Sequence, residues 1–446
     1  MPATTPDTLA RASLLVMLGG VLAVVAVVPL LVDPTTPANI YYAIKARALW
    51  GLAPLLALAW LGRAITRPAS IDRAVVLPAL VFALVAAAAT WGSVDSRWSL
   101  WGAPWRDEGL LTLLAYVAVF LAAAALRSRA LLRWWWAATL AGASLVALYG
   151  MAQYAGYEWL TRDWQRQGWW QAFSTTGNPN WLGAYMALVT PLALGAVAVA
   201  ARRRDLALAT GALLLVHLTA LFTWGRAAWL ALALALGVAT ALVLRQWSAL
   251  PVRRCGAALL LLVAVTALFA IPGGPLRPRG PRSPGPVVPL ARAQSTVEFR
   301  DTSVELRLYL WRKTAALLAR RLLLGYGPEA LVAVFPQRDP DKLRLLGPAI
   351  LVDKAHNETL DMALSLGLLG VGAFWWLVAV CLRRAWLAAR TADARGMLGI
   401  GCLAGIVAYL VDLQFHFSVV SVAPVFWSVL GVAAALGAPA APEAET

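Results

Sequence analysis

Three residues of this 446-residue chain, His356, Arg226 and Arg307, are of types that could carry out one reaction together. The histidine stands in DKAHNETLDMALSLGLLG, with Asn357 beside it and Asp361 five positions on. An imidazole titrates near neutral pH, so at a lipid–water boundary it can take a proton from an incoming hydroxyl. Asn357 and Asp361 would supply hydrogen-bonding partners, and the free N–H groups of a helix starting there favour an anion. Each arginine offers a planar fork of donors that suits phosphate oxygens. A general base plus two such clamps at a membrane surface points to a lipid-diphosphate substrate. Alone, His356 would serve equally well as a helix cap, so the reading depends on elements that bring all three residues to one face.

Composition sets those elements. The chain is 61% hydrophobic and 13% charged, with a mean hydropathy of +0.70, whereas a soluble domain carries about 25% charged residues. Too few charges remain to cover a water-facing surface, so an all-α polytopic membrane protein is expected. Apolar runs lie near 9–32, 46–66, 74–93, 110–126, 134–154, 181–201, 206–224, 227–244, 256–271, 360–381, 397–415 and 419–437, about 12 crossings at roughly 20 residues each. The stretch 206–244 is broken only by Gly225-Arg226 and reads as a tight helical hairpin, with Arg226 at a membrane face. Three regions follow. Residues 1–272 hold spans one to nine, 273–355 a large external loop, and 356–446 the last three spans and a tail.

The net charge of +16 is distributed in a way that argues for topology and against nucleic acid. With a cytoplasmic N-terminus, the short inside segments carry 17 Lys and Arg, the short outside segments 7, and the 273–355 loop the remaining 14. Short loops govern orientation, so the termini are expected inside and the long loop outside. The first apolar run exceeds a signal-peptide core and reads as a retained span. Cys255, Cys381 and Cys402 read as apolar fillers at inner span ends. In the loop, residues 272–289 hold seven prolines and read as an extended linker. Over 302–324, Val304, Leu308, Trp311, Ala315, Leu318 and Leu322 recur at helical spacing among Arg300, Arg307, Arg312, Lys313, Arg320 and Arg321. That is a basic amphipathic helix, whose plain reading is a helix lying on lipid headgroups.

The other polar groups read mostly as structure. His217 lies mid-span, where a ring hydrogen-bonds a neighbouring helix, and His416 shares a helical face with Asp412. Asp339-Pro-Asp341 reads as a turn rather than a metal site, and no metal or nucleotide cofactor is expected, since no phosphate-cradling Gly-rich loop is present. The 22 tryptophans, among them Trp134 to Trp136 and Trp164, Trp169 and Trp170, read chiefly as an interfacial belt.

Four blocks carry a resemblance. FSTTGNPNWLGAYMAL (173–188), FTWGRAAWLAL (222–232), RLYLWRKTAALLARRLLLGYGPEAL (307–331) and AHNETLDMALSLGLLGVGAF (355–374) resemble the O-antigen ligase and O-antigen polymerase superfamily, in the family's order. The resemblance covers roughly residues 170–420; the first 150 share only hydropathy with it. It implies a metal-independent inner-membrane glycosyltransferase with a C-type fold, taking a glycan from undecaprenyl diphosphate on the periplasmic side. His356 then looks like the histidine that activates the acceptor hydroxyl, Arg226 and Arg307 like diphosphate-binding arginines, and Asn178 and Asn180 like supporting residues. Lys45 and Arg47, at the outer mouth of the second span, would join the clamp or simply anchor the helix in the interface. The acceptor could be lipid A core, another glycan or a protein, so ligase, polymerase and protein O-oligosaccharyltransferase stay open. A flippase for the same lipid-linked glycan is the further alternative, and a cell-wall polymerase would instead use an outside aspartate, Asp301, Asp353 or Asp361.

Overall fold

The structure, a computed structural model, describes residues 5–36, 39–160, 171–245, 250–271, 274–276 and 302–438. Regular structure among them is entirely helical. In chain order the helices are α1 (Thr5–Ala26), α2 (Ala43–Thr66), α3 (Arg73–Trp91), α4 (Ser96–Trp101), α5 (Leu110–Ala124), α6 (Arg129–Tyr154), α7 (Pro179–Val199) and α8 (Arg203–Phe222). There follow α9 (Arg226–Leu244), α10 (Leu250–Ala270), α11 (Thr302–Leu318), α12 (Leu331–Val334), α13 (Pro340–Leu346), α14 (Glu358–Ala389), α15 (Ala394–Asp412) and α16 (Ala423–Leu436). Ten of these are long and apolar enough to cross a membrane, and α5 and α16 are shorter apolar helices. The protein is therefore a multi-pass membrane protein, with the expected twelve apolar segments.

Local chemistry sets many boundaries. Asp72, Ser128, Asn178, Asn357 and Asp393 each accept a hydrogen bond from a backbone N–H one turn into α3, α6, α7, α14 and α15, satisfying donors a helix start leaves open. The 206–244 stretch breaks where expected, α8 ending at Phe222 and α9 starting at Arg226. At the centre is α7, whose apolar stretch is 89% buried. Its neighbour α15 comes close because a Cβ on Gly405 would lie 2.7 Å from the Leu188 carbonyl, and one on Gly401 2.9 Å from that of Pro191, the small-residue contact that lets helices approach in lipid.

Because crossings alternate, the starts of α2, α5, α7, α9, α14 and α16 share one end of the bundle with the ends of α1, α3, α6, α8, α10 and α15. One helix departs from the expected 360–381 span. At 32 residues α14 is too long for a straight crossing, and it breaks at Gly367 (φ 67°, ψ −173°). The break accommodates the turn after α11. Leu368 and Leu369 N–H donate to Leu322 and Leu323, and Tyr326 and Gly327 N–H donate to Leu364 and Ser365.

The basic amphipathic helix is present as α11 but ends at Leu318. Its Leu310 is buried, and it packs with Tyr326, Phe335, Val352 and Ala355 in a separate hydrophobic cluster of the loop region. Part of its apolar surface thus serves this cluster, while Leu308 is exposed. Of the Pro-rich linker 272–289, all but 274–276 lies outside the described residues, as do Asp301, Trp164, Trp169 and Trp170. Within the Trp134–Trp136 run only Trp134 is exposed. Trp135 and Trp136 are buried, donating to Ser428 Oγ and the Leu192 carbonyl, so they are packing residues rather than belt residues.

Candidate active site

His356 stands two residues before α14, with φ +55°. That left-handed conformation is costly for a residue with a Cβ and persists only where neighbours enforce it. The neighbours do so here. On one side, the buried Ala355 donates its N–H to Asp361 Oδ1 at 2.8 Å and accepts from Trp311 Nε1 at 3.1 Å. On the other, Asn357 caps α14 through Leu360 N–H at 3.0 Å and donates to the Gln414 carbonyl at 3.0 Å. Asn357 and Asp361, expected as partners of the imidazole, thus hold the backbone that presents it. Among the described residues, the other positive-φ residues that are not glycine, Asp107, Ser174, Trp224 and Glu329, also fall on connections at this end of the bundle.

Trp311 explains where Arg307 goes. The two are four residues apart on α11, hence on one face, and Trp311 is bonded to the residue preceding His356. Arg307 accordingly lies within electrostatic reach of the imidazole. Burial, then neighbouring His416 and the guanidinium charges of Arg307 and Arg106, push the His356 imidazole down to about 4. It is therefore neutral at physiological pH and able to accept a proton.

The second arginine reaches this end by another route. Arg226 opens α9 directly after Gly225, and Gly225 sits against the start of α7, where an added Cβ would lie 3.7 Å from Asn180 Oδ1. Gln171 Nε2 also donates to the Thr223 carbonyl, so the Asn178–Asn180 block and the Arg226 turn pack as one unit. Between them, Trp181 meets the Phe417 ring at 6.0 Å, and Phe417 meets the His356 ring edge-on at 5.3 Å. Asn178 itself caps α7 through Asn180 N–H at 2.9 Å.

Lys45 is placed elsewhere, as a correction to the expected clamp. Its ammonium is fully buried and donates to the carbonyls of Leu31, Tyr41 and Thr175 at 2.6, 2.9 and 2.8 Å. An ammonium has three N–H bonds, so none remains for a phosphate. Nor does Lys45 snorkel to the interface; it ties α1, α2 and the segment before α7 together. Arg47 is exposed, near enough to Asp33 and Asp107 for its charge to act on both.

Arg106 was not among the expected site residues. Its Nε and Nη2 both donate to Asp353 Oδ2, at 3.1 and 2.7 Å, and its guanidinium lies 4.2 Å over the Phe417 ring. Beside it Trp105 Nε1 donates to the same Asp353 oxygen, and Lys354 pairs with the buried Glu329 at 2.8 Å. Burial would raise the Asp353 carboxyl, but the Arg106 charge and these hydrogen bonds outweigh it and hold the carboxyl below its ordinary value. In the sequence no motif surrounds Arg106, and its partner is 247 residues away.

The remaining polar residues behave largely as read. His217 Nε2 bonds Thr266 Oγ1 of α10 at 2.8 Å, and His416 Nδ1 bonds Asp412 Oδ2 at 2.9 Å. All three cysteines are buried and free. Asp339 caps α13 and pairs with Lys313 at 2.6 Å. Among the described residues no group of three His, Cys, Asp or Glu could hold a metal ion.

Residues 210–375 match the family model described as O-antigen ligase. The matched stretch runs from α8 to the middle of α14 and contains Arg226, Arg307 and His356. The match agrees with the resemblance to the O-antigen ligase and polymerase superfamily that the four sequence blocks carry. No curated protein matches the chain.

Proposed function

We propose, from the premise that this is an O-antigen ligase-type membrane protein, that it transfers a glycan from undecaprenyl diphosphate to an acceptor hydroxyl on the periplasmic side of the inner membrane. His356 acts as general base. The acceptor oxygen attacks the anomeric carbon as its proton passes to a His356 ring nitrogen, and the bond from that carbon to the lipid diphosphate breaks with inversion. The departing diphosphate keeps the electron pair, and Arg307 and Arg226 take up its developing charge. No metal is required in this scheme.

The observation that carries the reading is the Trp311–Ala355 hydrogen bond. It fastens one turn of α11, with Arg307 on it, to the residue before a neutral, backbone-strained His356. Base and phosphate donor are thereby held on one rigid unit, which is what positional catalysis needs. His356→Ala should insert normally in membranes and lose transfer, by about 10²-fold or more for a positioned base. Full transfer in that variant would remove the base.

The aspartate-base alternative finds less support, because Asp353 is occupied by Arg106 and Trp105, and one oxygen of Asp361 by the Ala355 N–H. Ligase, polymerase and protein glycosylation separate by phenotype. Loss of the protein should leave finished glycan off lipid A core for a ligase, leave short glycan for a polymerase, and leave unglycosylated protein for an oligosaccharyltransferase. We favour the ligase, in keeping with the matched family.

A further inference from the structure

The loop before α5 lies outside the residues that match the family model, yet it reaches the proposed centre. Arg106 and Trp105 converge on Asp353, three residues before His356, and the Arg106 guanidinium covers one face of the buried Phe417, on which His356 rests. The loop is itself anchored, since Asn39 Nδ2 donates to the Pro104 carbonyl at 2.8 Å and to Asp107 Oδ2 at 2.9 Å. From the other side, the Glu358 N–H donates to the Leu413 carbonyl and Ser418 N–H to Glu358 Oε2 at 2.7 Å, which fixes the connection carrying Phe417.

We propose that Arg106 and Asp353 are positioning residues for His356. With Arg106 mounted on Phe417 and Asp353 gripped by Arg106, they hold the imidazole in place and set the balance of charge around it. This rests on His356 being the base, and it adds a function for a part of the chain in which the sequence showed only hydropathy.

The groups acting on His356 are Arg307 on α11, Arg106 before α5, Asp353 on the segment that leads into it and His416 after α15. Lys354, Glu358 and Asp361 flank it in sequence, and Asp412 stands behind His416. Within this set Arg106 and Asp353 act with opposite sign. Arg106→Gln removes a positive charge and uncovers a carboxylate, so the imidazole should titrate at higher pH. Asp353→Asn removes the carboxylate, so it should titrate lower. Each displacement should be roughly half a pH unit or more, the scale of a single nearby charge.

The chain has only three histidines, so ¹³C-histidine-labelled full-length protein in nanodiscs yields a His356 signal assigned by its loss in His356→Gln. Opposite displacements in the two variants support the proposal. Unchanged midpoints, or displacements of the same sign, overturn it. In transfer assays both variants should lower kcat with donor KM little changed, and the acid limb of the rate profile should move with the NMR midpoint. A raised KM with an unmoved limb would instead mean that Arg106 simply binds donor, and would overturn the positioning role. Should Arg106→Gln fail to fold, the near-isosteric Asp353→Asn carries the test alone, with anything other than a downward midpoint counting against it. Since the NMR midpoint needs no activity, an active His356→Ala would sink the base assignment independently of this result.

Discussion

Gly367→Ala tests the coupling between the segment after α11 and the α14 break. The native conformation, φ 67° and ψ −173°, is essentially restricted to glycine, and another residue adopts it at a cost of about 1–3 kcal/mol. The space is closed as well. A Cβ there would lie 2.0 Å from the Leu323 carbonyl oxygen and 2.2 Å from its carbon, both backbone atoms, so the segments must part. Parting endangers the four backbone hydrogen bonds between residues 322–327 and 364–369, worth about 1 kcal/mol net each. The expected destabilisation is therefore about 3–6 kcal/mol, and the Arg307–Trp311 helix should lose its registration on His356. Gly372→Ala is the control, because the same helix leaves open space there and alanine gains about 0.5–1 kcal/mol over glycine within a helix. Tryptophan fluorescence during thermal unfolding in nanodiscs, together with a transfer assay, reads both effects. Should Gly367→Ala unfold with Gly372→Ala and transfer glycan normally, the break would not be what holds loop and span together.

Four further outcomes follow from the site. His356 is held at about 4, below an ordinary histidine, so kcat/KM should stay level from pH 8 down to about 6 and fall only on approach to 4; an inflection at about 6.5 would show an imidazole in open water. The same sign governs folding, the contribution of His356 to stability being complete above about 6.5 and eroding as pH falls toward 4. Trp311→Phe keeps the aromatic packing but leaves the buried Ala355 carbonyl without its donor, so stability should drop by about 1–3 kcal/mol and transfer should fall while Arg307 is intact. Unchanged transfer would detach α11 from the chemistry. Finally, transfer should persist in chelator; loss restored by magnesium or manganese would contradict charge stabilisation by the arginines alone.

Sequence by itself determined the helical class, the twelve apolar segments, the break at Gly225-Arg226 and, through alternation of crossings, that Arg226 and His356 share one end of the bundle. Those properties follow from local composition and from periodicity, which a single segment expresses without its neighbours. The Arg-x-x-x-Trp spacing likewise announced that Arg307 and Trp311 share a face, though not what Trp311 would grip. Tertiary structure alone decided the rest. Lys45 and Arg106 are both cations near span ends with no motif around them, yet one is buried among three carbonyls and the other braces Asp353 and Phe417. Gly367 shows its need for glycine only once the Leu323 backbone lies against it. A charge's burial, or a clash with a distant carbonyl, depends on which remote segments the fold brings together, and that information is not carried by the spacing of residues within any one of them.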